Sequence, residues 1–276
     1  MRILVTGHLG FIGHHVFNAL SEDGHEVVGL DWPDDARLTP VPVVDAVVNM
    51  AAIGGAGRAA RAPYSVMQNN VGATMAVAAA CLAMPVQPRV VHASSFSVYG
   101  DAPVPTNEDA PLAPKEIYGA SKLAQELCWT GYPGPITILR FSSVYGRGMR
   151  LDDPEATIIA KIAGWVGRGE PVVLNEDGQQ TRDWVHVDDV VDSITASLLG
   201  LTHNGQRDII NVCSGQPVTL DRCARMLGAT PTFTGIGRPG DMRHCLGDPS
   251  RMVDLLRRPP TPFDPACIRP PARKAG

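Results

Sequence analysis

The chain has 276 residues, 44% of them hydrophobic, with a formal net charge of −4 and a pI near 6.0. That length suits one large α/β domain, or a large domain with a small companion, and the apolar fraction is enough for a substantial core. Without a Lys/Arg block, a nucleic-acid surface is not expected, and an anionic ligand must be drawn by local arginines rather than by the overall field.

The opening "RILVTG" is a short apolar run closed by glycine, the pattern of a buried parallel strand. "FIGHHVFNALSEDGHEVVGLD" continues as an amphipathic helix with Ile12, Val16, Ala19 and Leu20 on one side, a turn at Asp23-Gly24, and a second strand. Gly7, Gly10 and Gly13 therefore fall at a strand-to-helix turn. Glycines there permit a tight reversal, let a pyrophosphate approach main-chain N–H groups at a helix N-terminus, and let the helix pack on the sheet. Such spacing also marks ordinary turns. Asp31 closes the second strand, where a carboxylate can accept hydrogen bonds from an adenosine ribose and repel a 2′-phosphate, favouring NAD over NADP. A solvated loop aspartate is the alternative.

"WPDDARLTPVPV" is a polar, proline-rich link, and a strand resumes over Ala46 to Met50 in "VDAVVNMAA". "YSVMQNNVGATMAVAAACLAM" reads as an alanine-rich helix, and its apolar part, "GATMAVAAACLAM", is short and small-sided for a bilayer span. "RVVHASSFSVYG" is a strand, "EIYGASKLAQELCW" a helix and "ITILRFSSVYG" a further strand. This alternation predicts a doubly wound parallel (Rossmann) α/β sheet. Beyond about residue 150 the rhythm loosens into a smaller, interleaved C-terminal lobe. The expected division is 1–150 for the first domain, with 183–204 returning to it, and 151–276 for the lobe. A proline-rich tail from about residue 258 is expected to be extended or disordered.

Six scattered cysteines without a Cys-x-x-Cys pair read as reduced thiols, with no disulfide framework and no metal site. The start of the chain runs straight into a strand, leaving no place for a secretory signal. The expectation is a cytoplasmic protein without membrane attachment.

"YGASK" places Tyr118 and Lys122 four apart, on one helical face. At ~5 Å and an effective dielectric of ~20, a lysine ammonium favours a phenolate by about 3 kcal/mol, or about two pKa units. Tyr118 is thereby expected to become a usable general base, with Lys122 also able to hold ribose hydroxyls. Alone, the pair is equally a surface helix pair. It lies, however, downstream of a dinucleotide pattern and of the strand end carrying Ser95, and ligands collect at such carboxyl ends. Ser95 there can donate to a substrate oxygen.

Together, "TGHLGFIG", "NMAA", "SSFSVYG", "YGASK", "LRFSSVYG" and "QTRDWVHVDDV" resemble the extended short-chain dehydrogenase/reductases, specifically the NAD-dependent nucleotide-sugar epimerase/dehydratase family, from Met1 to about Arg251. The resemblance implies NAD as cofactor and a nucleoside-diphosphate sugar, UDP- or dTDP-linked, between the lobes. It implies cofactor contacts from Gly7, Gly10, Phe11, Ile12, Gly13, Asp31, Trp32, Ala51, Ala52, Tyr118 and Lys122. Ser95, Tyr118 and Lys122 match the catalytic residues, and Arg182 and Arg238 match arginines on the substrate diphosphate. Ser143 stands where the family has an asparagine near the substrate phosphates, and Asn49 where it has a histidine. Family dehydratases carry a carboxylate just after the catalytic Ser/Thr; Phe96 and Ser97 occupy those places here, which favours a 4-epimerase. In that reaction Tyr118 takes a hydroxyl proton as hydride leaves the sugar, the keto sugar turns, and hydride returns to its other face. A keto-sugar reductase, dehydrogenase or dehydratase of the same family, and a non-catalytic NAD-binding scaffold, are the alternatives. The segment after Asp31 is shorter than in the family, so the third strand and its helix are expected to be shortened or lost. Relatives pair through two helices, which points to a homodimer using the helix near Met67–Met84 and the one carrying Tyr118.

Overall fold

A computed structural model describes residues 1–31, 41–153, 156–201, 206–237 and 242–268. In chain order the elements are β1 (Arg2–Thr6), α1 (Phe11–Glu22), β2 (Glu26–Leu30), β3 (Ala46–Asn49), α2 (Ala56–Arg61), α3 (Pro63–Ala83), β4 (Arg89–Ser95), α4 (Ile117–Leu127), β5 (Ile136–Phe141), β6 (Ser143–Tyr145), α5 (Ile158–Arg168), β7 (Val173–Leu174), β8 (Thr181–His186), α6 (Val187–Leu198), β9 (Arg207–Val212), β10 (Pro217–Thr219), α7 (Leu220–Met226), β11 (Thr232–Phe233) and α8 (Ser250–Leu256).

Continuous apolar runs become central strands because both faces of the sheet are covered. On β1, Ile3 and Val5 point to α1 and α6, whereas Leu4 points to the layer of α3 and Trp129; Val48 and Val47 of β3, and Val91 and Val90 of β4, divide in the same way. The period of two assigns each face. The resulting sheet has six parallel strands in the order β2-β1-β3-β4-β5-β9. The order reverses between β1 and β3, so the crevice beyond their carboxyl ends is the topological switch point. Among the described residues no strand lies outside β2, in keeping with the short link after Asp31.

Four expectations need adjustment. "ITILRFSSVYG" is not one strand: Ser142 donates its amide to Val212 O (3.0 Å), and β6 leaves for a three-stranded sheet, β10-β8-β6. The lobe is not all of the rest of 151–276, because β9 and α8, outside 183–204, also pack on the main sheet while α5, α7 and the three-stranded sheet enclose a second core around Tyr145, Ile162 and Trp184. The alanine-rich stretch belongs to a 21-residue helix, α3, long and apolar enough by composition to cross a membrane, yet Val66, Ala73, Val77 and Cys81 are turned into the core. The six cysteines are free thiols.

The proline-rich tail is docked as far as Ile268; residues 269–276 lie outside the described residues. The fully buried Asp189 carboxylate requires donors, and the tail supplies them: Thr261 N (2.8 Å), Thr261 Oγ1 (2.9 Å) and Arg258 Nη1 (2.7 Å). Phe263 then stacks on Trp184, with centroids 6.0 Å apart. Asp189→Ala leaves that anchor without a partner. We expect a loss of about 3 kcal/mol in denaturant unfolding and tryptic cleavage after Arg257; an unchanged midpoint and continued resistance would refute the anchoring role.

Candidate active site

The glycine turn is built by close approach. Gly7 has φ +74°, and a Cβ on it would lie 3.0 Å from Ala51 N. A Cβ on Gly13 would sit 2.0 Å from Gly7 O, so only glycine lets α1 rest against the end of β1. Gly10 caps α1 without any side-chain bond, leaving the first-turn amides without a side-chain acceptor. These amides open on a cavity of about 580 Å³. Gly7, Gly10, Phe11, Ile12, Gly13, Asp31, Ala51, Ala52, Tyr118 and Lys122 all line it. Trp32 lies outside the described residues. Asp31 is fixed at the rim, its Oδ2 accepting from Leu9 N (2.6 Å) and lying 3.3 Å from His8 Nδ1. A concave space with a helix N-terminus at one end and a carboxylate beside it fits a dinucleotide.

Tyr118 reaches the cavity because α4 starts there. Glu116 caps the helix by accepting from Tyr118 N (3.0 Å) and Gly119 N (2.8 Å). A Cβ at Gly119 would lie 2.5 Å from Ser97 O, so the helix start presses directly on the turn that follows Ser95. This contact brings the Ser95 hydroxyl up to the Tyr118 phenol, where it favours the charged form of the ring. Ser95 Oγ also accepts from Ser97 N (3.2 Å) and Ser97 Oγ (3.0 Å). Phe96 turns away into a core with Tyr99 and Cys213. It is Ser94 that lines the cavity wall, and its hydroxyl is donated to Glu126.

The expected lowering of the Tyr118 pKa is not found. Burial pushes the phenol up to about 12; the Ser95 hydroxyl opposes the rise and the Glu116 charge adds to it. Lys122 is 3% exposed, and burial pulls it down to about 8 against the nearby Glu126 carboxylate. Its Nζ donates to Ala93 O (2.7 Å) and Gln125 Oε1 (3.0 Å). Desolvation, omitted from the charge-pair argument, therefore outweighs attraction in this protein.

A second cavity, of about 890 Å³, adjoins the first and shares Gly10, Phe11 and Gly54 with it. Ser143 and Arg182 line it, together with Arg58, Arg150 and Lys161, which no motif had singled out. Arg182 Nη1 donates to Thr181 O (2.9 Å) and Met242 O (2.8 Å). The neighbouring Asp183 anchors the strand, accepting from Ser214 N (2.6 Å), Ser214 Oγ (2.7 Å), Gly215 N (3.0 Å) and Gly247 N (3.0 Å). Arg238 lies outside the described residues. These cations give the cavity local positive charge in an otherwise acidic chain. Among the described residues no cluster of His, Cys, Asp and Glu suits a metal ion.

Beneath the first cavity runs a polar network. Asn49 Oδ1 accepts from Thr6 Oγ1 (2.9 Å), and its Nδ2 lies 3.1 Å from His92 Nδ1 and 3.3 Å from Thr74 Oγ1. His92 is fully buried, and its pKa lies well below the ordinary value because of desolvation and then the Lys122 charge, so the ring is neutral. Asn49 thus stands in this network opposite His92. The one sequence signal for Gln125 was its place three residues after Lys122, on the same face.

The model of the NAD dependent epimerase/dehydratase family matches residues 3–213. A UDP-glucose 4-epimerase from Mycolicibacterium smegmatis is 32% identical over 297 residues, covering 93% of this chain and 92% of that relative. A UDP-glucose 4-epimerase from Azospirillum brasilense is 29% identical over 301 residues, covering 92% and 86%. Among solved structures, MoeE5 in complex with UDP-glucuronic acid and NAD has a TM-score of 0.87 at 28% identity over 97% of this chain and 96% of that one. The chain belongs to the NAD dependent epimerase/dehydratase family, within the extended short-chain dehydrogenase/reductases.

Proposed function

We propose that the protein is an NAD-dependent 4-epimerase of a UDP- or dTDP-linked sugar. The observation that carries the choice is the strand end after Ser95: Phe96 is buried in the core and Ser97 offers only a hydroxyl, already bonded to Ser95. No carboxylate from this segment stands beside the sugar to assist elimination. Two relatives of similar length are 4-epimerases, which supports the same outcome.

In this reading the smaller cavity takes the dinucleotide. The amides at Phe11, Ile12 and Gly13 face its pyrophosphate, Asp31 its adenosine ribose and Lys122 its second ribose. NAD supplies a hydride acceptor that returns the hydride within one turnover. Tyr118 accepts the proton of the sugar hydroxyl and gives it back, and Ser95, whose hydroxyl favours the charged phenol, orients both oxygens. Arg182 holds the diphosphate in the larger cavity, with the cations Arg58, Arg150 and Lys161 adding positive charge. We further propose a homodimer. Tyr64, Met75 and Leu82 are exposed on α3, spaced 11 and 7 residues apart on one helical face, and Leu127 is exposed on the adjoining α4.

Incubation with NAD and a panel of nucleotide sugars should give an isomer of unchanged mass without accumulation of NADH. A product lacking water, carbon dioxide or two hydrogens overturns the epimerase reading. Tyr118→Phe should lower kcat by about 10²–10⁴-fold while NAD still binds; near-normal turnover would remove Tyr118 from its role. For Arg182→Ala, loss of a charged hydrogen bond predicts about 10–100-fold weaker nucleotide-sugar binding at an unchanged melting temperature. In sedimentation, the wild type should run at twice the 29.4 kDa chain mass and Leu82→Glu as a monomer; a monomeric wild type refutes the dimer.

A further inference from the structure

The side chain of Gln125 is 1% exposed and has a single allowed orientation. Its Nε2 donates to Thr74 Oγ1 (2.7 Å), to Asn70 O (3.1 Å) and, more weakly, to Ala51 O (3.4 Å). Main-chain carbonyls can only accept, so the amide cannot be turned over without setting oxygen against oxygen and NH₂ against an ammonium. Its Oε1 is therefore committed to Lys122 Nζ at 3.0 Å, and Ala93 O takes a second Nζ proton at 2.7 Å. An ammonium has three protons. With two directions fixed from below, the third is left for the cavity that Lys122 lines.

We infer that Gln125 is a positioning residue: through Thr74 and the carbonyls of Asn70 and Ala51 it locks the Lys122 ammonium, charged, in the direction of the dinucleotide cavity. The inference rests on the assignment of that cavity to NAD. A neutral amide is suited to the task. It provides a hydrogen-bond acceptor that keeps the buried ammonium protonated, yet adds no carboxylate to cancel its field.

The charged and titratable groups around Lys122 are few. Tyr118 and Glu126 share its helix, and Glu126 is paired with Arg140 of β5 (2.9 Å). β4 contributes the neutral His92. From α3 and β3 come the uncharged Asn70, Thr74 and Asn49; α2 places Arg58 on the larger cavity and carries an exposed Arg61. Removal of the Gln125 acceptor is thus not replaced by another group on the same side.

The test is direct titration of Lys122 by NMR of the lysine side chains in the cofactor-free protein. The chain has four lysines, and Lys122→Met identifies the signal. Calorimetric NAD titrations over the same pH range accompany it. Charged Lys122 binds the cofactor, so affinity is full below its pKa and falls as pH rises through it. In Gln125→Leu the midpoint should move down by about one pH unit, with NAD about two-fold weaker at pH 7 and approaching about ten-fold weaker above pH 8. In Gln125→Glu, which keeps an acceptor and adds a charge, it should move up. Opposite shifts are not produced by a general loosening of the core. A midpoint unmoved in both variants, or moved the same way in both, overturns the inference; if Gln125→Leu does not fold, an unmoved or lowered midpoint in Gln125→Glu does so alone. A wild type that titrates as expected but binds no NAD refutes the cavity assignment instead, and with it the purpose assigned to Gln125.

Discussion

Glu126 and Arg140 form a bidentate pair almost entirely out of water, with Arg140 Nε 3.0 Å from Glu126 Oε1 and Nη2 2.9 Å from Oε2. The pair fixes α4 to β5, and the Ser94 hydroxyl on the same carboxylate adds β4. Arg140 Nη1 extends the connection to Tyr99 Oη (2.9 Å), which donates to Asn211 Oδ1 on β9 (2.7 Å). Asn211 N in turn donates to Glu108 Oε1 (2.8 Å), and Glu108 faces Arg251 of α8. Three strands and two helices are thus referred to one buried carboxylate. Removing a member of such a pair costs ~3–5 kcal/mol because the partner is left charged and unsolvated. Lys122 and Tyr118 lie one and two turns before Glu126 on the same helix, so the pair sets the depth and rotation of both.

The same helix is held from the other end by contact rather than charge. Gly119 admits Ser97 O to a distance no side chain tolerates, and Gly13 does the same for Gly7 O at the first turn. Close approach at these places leaves the ends of β1, β3 and β4 stripped of side-chain bulk where a ligand lies. The crevice arises because strands that must bury both faces cannot fill the gap at which their order reverses. Chemistry is then added by residues whose directions the packing has already decided.

What was legible in the sequence is what depends on neighbours in the chain. Gly7, Gly10 and Gly13 with Asp31, the alternation of strands and helices, and Tyr118 four residues before Lys122 are all short-range patterns, and ten of the expected cofactor contacts line one cavity. What failed depends on distant partners. The division of "ITILRFSSVYG" follows from Val212 capturing the Ser142 amide 70 residues away, and the tail docks because Asp189 needs donors. Prolines signal the absence of regular structure, not the absence of contacts. Arg58, Arg150 and Lys161 carry no local mark, and Gln125 only its place three residues after Lys122, since a lone polar residue acquires meaning only from what faces it across the fold.

The electrostatics of Tyr118 and Lys122 show where a pairwise argument stops. Burial drives each toward its uncharged form, the phenol upward to about 12 and the amine downward to about 8. Both shifts have the same cause, so bringing the two groups together in a dry cavity does not by itself yield a phenolate beside an ammonium. At neutral pH the amine is charged, with the phenol neutral. A phenolate requires further favourable interactions with the charged form, and Ser95 provides one. Gln125, Ala93 O and Ser97 are already committed to other partners. The same burial that opposes the phenolate also strengthens every favourable contact made to it, so the groups that reach the Tyr118 oxygen decide its charge.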